Sequence, residues 1–495
     1  MTGHIQIGRT RLAAAVAFTL SSLCAPSSFA ANGFMQSGPT STIGNVSSGQ
    51  TALSNSGNPA AIGFDRQRMN QDDAVLGGLY LGGELEYGNI QELFDVYDEL
   101  ANAFGDDGSS GGSGGSGGGN TSGGGLDFGD IDINDPDIAA IIERVNNQAT
   151  HIGALLALVA TEGYANANAA VDLPLIVNAD IFGGTLGFNF SYSGSASAVG
   201  FMEDIDFEAD TARTELEAAF NLQPGDPITT YDLSGGISLT IDPNTNRVSG
   251  TFDNDSLLAT RAAQATQLGV SYSYPLVFDD SSTLYLGATA KVVRMGLARV
   301  ATRIGDITNS EDLFNDIRDA KFVNTSRFGL DFGALWVAKN ISLGTSITDA
   351  FEPSYEFNAI DTSNYSNQNL RALIDDLQTY QQERQVTVEG SLYTEDRTWA
   401  LSTSYETTAI KDPLGAEHQW FSVSGGWSSN SFWIPSVRVG YHVNQVGSEI
   451  NMYKLGFTLF HYVDLDLGMS SEKVEIDGTS LPQGASANLG FHYAF

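Results

Sequence analysis

Ser486-Ala487-Asn488-Leu489-Gly490-Phe491-His492-Tyr493-Ala494-Phe495 closes the chain. From Ala487 onward every second residue is apolar or aromatic, and the residues between them are small or polar. Side chains on a β-strand alternate faces, so the stretch predicts a strand with one apolar and one wet face. An edge strand of a soluble β-sandwich carries the same pattern, so the rest of the chain has to decide between the two.

The alternation recurs. Leu186, Phe188, Phe190 and Tyr192 alternate with Gly187, Asn189 and Ser191. Leu268, Val270, Tyr272 and Tyr274 alternate with Gly269, Ser271 and Ser273. Phe328, Leu330, Phe332, Ala334 and Trp336 share one parity, and Val437, Val439, Tyr441 and Val443 repeat it. Tyr453 to Leu459 and Val463 to Met469 do the same, and Val386 to Leu392 and Trp399 to Tyr405 are weaker examples. A two-residue period repeated this often predicts an all-β membrane protein. Its fold would be an antiparallel transmembrane β-barrel of about fourteen strands, an N-terminal segment and helical insertions completing it. The mean hydropathy of -0.10 does not oppose this. No run approaches the ~18 apolar residues of a membrane helix, but only alternate residues of a barrel strand face lipid.

Residues 1–30 read as a secretory signal peptide. Arg9 and Arg11 form the basic region, Leu12 to Leu20 the apolar core, and Ser28 and Ala30 the small residues before the cut. The only cysteine, Cys24, falls inside this segment, so the mature chain would have no thiol chemistry. Residues 31–73 are small and polar, and contain Gly57-Asn58-Pro59-Ala60-Ala61-Ile62-Gly63.

With an Asn-Pro-Ala segment ahead of the first strand and an aromatic at the C-terminus, the chain resembles the long-chain fatty-acid transporter (FadL-like) outer-membrane barrels. In overall layout it is more similar to their TraF-like conjugal-transfer branch. The resemblance implies a bacterial outer-membrane location and a plug inside the barrel carrying Asn58, Pro59 and Ala60. It also implies an assembly signal at Phe491, Tyr493 and Phe495 that the barrel-assembly machinery reads. A FadL-like barrel would pass hydrophobic small molecules across the outer membrane. A TraF-like barrel would serve as an accessory or scaffold for conjugal transfer or secretion. A structural or adhesive barrel without a conduit is the third alternative.

Residues 74–88 supply the first strand, and residues 89–170 interrupt the pattern. Ile90, Leu93, Phe94, Tyr97, Leu100 and Phe104 have helical spacing. A Gly/Ser-rich acidic tether occupies 105–127. A second helix follows, capped by Asp135 with Pro136 in its first turn and carrying Ile138, Ile141, Ile142 and Val145. The two helices either pair through their apolar faces or pack on the barrel mouth or a protein partner in the 89–164 region. The barrel resumes over 171–495, with loop helices expected at Asp210 to Leu222, Asp255 to Gln267, Ser310 to Asp319 and Asn367 to Arg384.

On the polar parity of the strands lie Arg327, Asp331, Arg438, His442, Lys454, Asp464 and Asp466. Charges there cannot cheaply face lipid, so they line a polar conduit or pair in a network holding wall and plug together. The six histidines show no paired metal-ligand spacing. Asp130 to Asp135 lacks the turn glycine and closing glutamate of a calcium loop. No nucleophile or acid–base pair stands out, so neither enzymatic activity nor a cofactor or metal is expected. Loss of Arg9 and Arg11 with the signal segment takes the net charge from -36 to -38, which opposes direct contact with nucleic acid.

Overall fold

The computed structural model describes residues 37–48, 57–67, 69, 74–88, 125–126, 137–162, 164–303 and 320–494. Positions 204, 224, 246, 253–254, 280, 364, 366 and 477–478 are excepted. The expected signal segment, the helix over 89–104, the Ser310–Asp319 helix and Phe495 lie outside the described residues.

Fourteen strands close into one antiparallel barrel. They are β1 (Val75–Tyr87), β2 (Tyr164–Ile181), β3 (Gly184–Phe201), β4 (Leu257–Asp279), β5 (Ser282–Arg303), β6 (Val323–Val337) and β7 (Ile341–Thr348). The second half is β8 (Gln385–Tyr393), β9 (Trp399–Glu406), β10 (Trp420–Trp427), β11 (Ser436–Asn444), β12 (Asn451–Leu459), β13 (Val463–Ser470) and β14 (Gly484–Ala494). Each strand pairs with the next, and β14 returns to β1, from Leu76 opposite Ala494 to Glu86 opposite Gly484. Closure leaves no unpaired edge in the wall.

The terminal strand shows why this sequence makes a barrel. Leu489, Phe491 and Tyr493 point outward, about half exposed, while Ser486, Asn488 and Gly490 are buried inside. On β11, Val439 and Tyr441 face out while Arg438, Gly440 and His442 face in. An exposed apolar band on a closed barrel is a surface built for lipid. The connections after even-numbered strands are short, and the long ones all follow odd-numbered strands, so they gather at one end.

One expected element is overturned. Asp255–Gln267 was expected to be helical, yet Leu257–Asp279 is the single long strand β4. Its first half is rich in alanine, and an insertion inside the barrel covers Ala263 and Ala265. The outward parity of that half carries Thr260, Gln264 and Thr266 in place of large apolar residues, so the stretch lacks the alternation of a lipid-facing strand. Of the other expected loop helices, Asp210–Leu222 forms as Ala209–Ala219, whereas Asn367–Arg384 is helical only over Gln368–Asp376 and turns into a strand at Thr379–Gln381.

The helix Ile138–Glu162 packs against Ala209–Ala219 and a small sheet of Gly125–Leu126, Thr229–Asp232, Ile237–Asp242 and Arg247–Phe252. Gly125 and Leu126 belong to the stretch expected to be a tether, and they pair with Thr251 and Gly250. The Ile237–Phe252 hairpin turns at Asp242-Pro243-Asn244-Thr245, residue types that favour a tight connection. Leu216, Leu233, Ile237 and Leu239 are completely buried in this cap, each worth about 1.5–3 kcal/mol relative to exposure.

Candidate functional site: a plugged lumen

Two short helices of the N-terminal segment sit inside the barrel. Helix α1 (Thr40–Ile43) lies against β10–β13, and α2 (Ala61–Arg66) lies against the opposite wall, β2–β5. All four residues of α1 are buried, as are five of the six in α2.

The wall against α1 is ionic. Arg438 holds Asp466 with both arms of its guanidinium, at 2.8 and 2.7 Å, and reaches Asp464 at 3.3 Å. Asp464 also takes Thr458 Oγ1 at 2.6 Å and His492 Nδ1 at 2.8 Å. The plug completes this network: Thr42 Oγ1 donates to Asp466, and His442 Nε2 lies 2.8 Å from the Thr42 carbonyl. Ser424 Oγ donates to the Ile43 carbonyl at 3.0 Å. Glycine makes the approach possible, since a Cβ on Gly440 would stand 2.0 Å from the Thr42 carbonyl oxygen.

The Asn-Pro-Ala motif leads directly into α2, with Ala60 at its N-terminal boundary. Asn58 is 4% exposed. Its Nδ2 donates to Glu389 Oε1 at 2.6 Å, and its Oδ1 accepts the Ala60 N–H at 3.0 Å. Glu389 also accepts the Ser47 N–H and hydroxyl, so one buried carboxylate holds both halves of the plug. Ser273 Oγ donates to the Ala60 carbonyl at 2.9 Å. Again the wall yields through glycine: a Cβ on Gly333 would lie 2.1 Å from Asn58 Oδ1, and one on Gly287 2.3 Å from the Ala60 nitrogen. Below the motif α2 presents an apolar face, with Phe64, Ala60 and Ala61 on Tyr285, Leu335 and Val337, and Ile62 on Ile176 and Tyr80, while Asp65 is buried and Arg66 Nε donates to Asn178 Oδ1 at 3.2 Å.

The inward-parity charges therefore divide. Arg438, His442, Asp464 and Asp466 form the seat of α1. Asp331 binds Lys291 at 2.8 Å, and Lys291 also binds Asp349 at 2.7 Å, an ionic cluster that the sequence reading missed for want of a pattern at Lys291. Lys454 stands 3.9 Å from Glu84. Arg327 does not join the lumen: it is exposed beyond the plug, and its Nε donates to the Ser354 carbonyl at 3.1 Å. It shares the strand parity of Asp331 but sits nearer the rim. Phe491 and Tyr493 face outward.

A lid fills the other end. The hairpin Ser354–Glu356 with Thr379–Gln381 folds into the long-loop mouth. Tyr355, Phe357, Tyr380 and Leu414 pack on Ala263, Ala265, Val293, Met295 and Leu297 of the inner wall. Arg261 Nη1 donates to the Leu414 carbonyl at 2.9 Å, and Arg299 Nε to the Asn358 carbonyl at 3.0 Å. Beside the lid, burial pushes the Asp412 carboxyl up to about 6 and the His418 imidazole down to about 4.

Between plug and lid remains a cavity of about 790 Å³. Its lining holds eight carboxylate residues against three lysines and arginines, with many hydroxyls and amides. Exposed Lys411 and Glu417 belong to it, so it reaches the surface at the long-loop end. Among the described residues no cluster of three or more His, Cys, Asp or Glu could hold a metal ion.

Fold and site together define a β-barrel of the outer-membrane type, closed internally by its own N-terminal segment. The family described as "F plasmid transfer operon, TraF, protein" matches residues 56–406, and the chain belongs to that family. Among solved structures it is similar to the TodX deltaS2S3 mutant, a monoaromatic hydrocarbon channel, at 11% identity and a TM-score of 0.42 over 94% of this chain and 99% of that one. A Pseudomonas aeruginosa FadL homologue is also 11% identical, covering 95% of this chain and 100% of its own at a TM-score of 0.35. A porin mutant of Rh. blastica is 10% identical, covering 85% and 100% at a TM-score of 0.25. No curated protein sequence matches the chain.

Proposed function

We propose that this protein is an outer-membrane barrel that its own plug keeps closed, acting as an accessory or scaffold for the transfer apparatus of its family. The observation that carries this reading is the chemistry of the lumen. The plug is hydrogen-bonded to buried ionic groups, and in the remaining cavity carboxylates, amides and hydroxyls interrupt apolar residues such as Phe201, Phe357, Ile410 and Leu414. A passage for hydrophobic molecules would need a continuous apolar lining, because burying polar groups against an apolar solute leaves them unsatisfied. In this reading the protein works by binding, without catalysis, and its acidic surface keeps it off nucleic acid. The cap around Ile138–Glu162 and Ala209–Ala219 offers the surface for a protein partner. The barrel-assembly machinery recognises the terminal strand with Phe491, Tyr493 and Phe495.

The test is lipid extraction and mass spectrometry on the full chain purified from outer membranes in mild detergent, with planar-bilayer conductance alongside. The expected result is no stoichiometric apolar molecule and a closed barrel. Co-purifying apolar molecules that disappear when residues 37–66 are deleted would overturn it.

One observation favours hydrophobic uptake as a second reading. Pairing between β1 and β2 is interrupted between Gly77–Leu175 and Tyr80–Asp172, where Pro174 removes a backbone donor. The register resumes unshifted beyond it, so this is the weakest point of the β1–β2 seam, where an apolar molecule would pass sideways into lipid. Under this reading Pro174→Ala lowers uptake; under the first it changes nothing.

A further inference from the structure

We infer that the cavity above the plug binds an amine-bearing polar molecule, an organic cation, on the wall made by β1, β2 and β3. Three observations converge there. Register places Glu84 opposite Asn168 and Glu86 opposite Asn166, with Asn168 opposite Ser195 and Ala170 opposite Ser193 on the next strand. The patch is thus a continuous sheet of carboxylates, amides and hydroxyls turned inward.

Its hydrogen-bonding capacity is partly unspent. Ser193, which lines the cavity and is only 1% exposed, has a hydroxyl without a partner among the described residues. The same holds for the Asn166 side-chain oxygen, an acceptor on the same wall. Buried polar atoms of this kind are normally satisfied, so they mark where a partner belongs.

The charge balance says which partner. Carboxylates outnumber lysines and arginines eight to three around the cavity; with Asp349 held by Lys291 and Glu417 by Lys411, six carboxylates remain against Arg261 and Lys454. Of the three bases, Arg261 is committed to the Leu414 carbonyl and Lys411 to Glu417 at 3.3 Å. Lys454 is the one base beside the patch, 3.9 Å from Glu84. A ligand that brings N–H donors and positive charge answers both the surplus of carboxylates and the open acceptors. An anion or an apolar solute answers neither. The cavity volume of about 790 Å³ suits a small molecule. This inference does not depend on whether the barrel transports or scaffolds.

The test is isothermal titration of the detergent-purified full chain with spermidine, and with sucrose as an uncharged hydroxylated comparison. Saturable spermidine binding is expected, weakened tenfold or more in Glu84→Gln/Glu86→Gln and about threefold in Ser193→Val, with no sucrose binding. Glu215→Gln/Glu217→Gln, on the outer cap, keeps the wild-type affinity. Heat-modifiable gel mobility verifies that each variant is a folded barrel, and Ser193→Val carries the test if the double variant is not. Absent spermidine binding, sucrose binding of equal strength, or equal losses in the cavity and cap variants would overturn the inference.

Discussion

Helices α1 and α2 are both short, both buried, and belong to one segment, yet they rest on opposite walls of opposite chemistry. Under α1 the wall offers Arg438, Asp464, Asp466 and His442; under α2 it offers Tyr285, Leu335, Val337 and Ile176. The ionic side is directional: each group has a named partner and geometry. The apolar side is held by area and fit. The contrast teaches that inward charges of a barrel need not line a conduit. Here Arg438, His442, Asp464 and Asp466 are spent on seating α1.

Single substitutions separate the two seats. Arg438→Met strands two buried carboxylates, and breaking such a pair costs about 3–5 kcal/mol. A large drop in the unfolding temperature is expected in detergent. Phe64→Ala on the other seat leaves a cavity against Tyr285 and Leu335, also costing about 3–5 kcal/mol. A double-mutant cycle should find the two additive, because they share no partner; coupling above about 0.5 kcal/mol would show that the plug moves as one rigid body.

Asn58→Ala, between the seats, removes a donor from buried Glu389 and should cost about 1–3 kcal/mol. Gly440→Val tests the ionic seat sterically, because its side chain would need the space of the Thr42 carbonyl. It should displace α1 and raise ion conductance in planar bilayers, with little loss at the apolar seat. An unchanged conductance would show that α2 and the lid close the barrel unaided.

The smallest effect concerns the lid. His418 has a folded pKa near 4 against 6.5 in the unfolded chain, so its neutral burial favours the fold above pH 6.5 and that contribution fades as pH falls toward 4. Asp412, raised from 3.8 to about 6, works the other way: its contribution is complete below pH 3.8 and is lost as pH rises through 6. The two largely cancel between pH 4 and 6. Hydrogen-exchange protection factors over residues 410–418, with the intrinsic pH dependence of exchange divided out, should therefore change little across that window. In Asp412→Asn protection should fall on acidification, and in His418→Gln it should rise.

Much of the wall was legible in sequence because lipid on one side and a wet lumen on the other impose the two-residue period. Leu489, Phe491 and Tyr493 against Asn488 and Gly490 are the clearest case. Where that contrast is lost the signal goes with it: β4 from Leu257 to Gln267 carries Thr260, Gln264 and Thr266 on its outward parity and read as helix. The inward charges were visible by parity, but parity cannot tell how far along a strand a residue sits, which is why Arg327 was grouped with Asp331. The lid escaped notice because Tyr355, Tyr380 and Leu414 are scattered through three stretches with no shared period. Glu389 was hidden in a weak strand, although its role at Asn58 is central to the plug.

The seat of α1 joins parts of the chain that are made at opposite ends of synthesis. Thr42 meets His442 across 400 positions of sequence and Asp466 across 424. Contacts so distant in sequence form late, after the loops between them have closed. A chain that has laid down only its first ten strands owns the seat of α2 and Glu389, but not Arg438, His442, Asp464 and Asp466, which grip α1. Seating of α1 thus records that the last strands have arrived, making the N-terminal segment an internal witness to completion of the barrel.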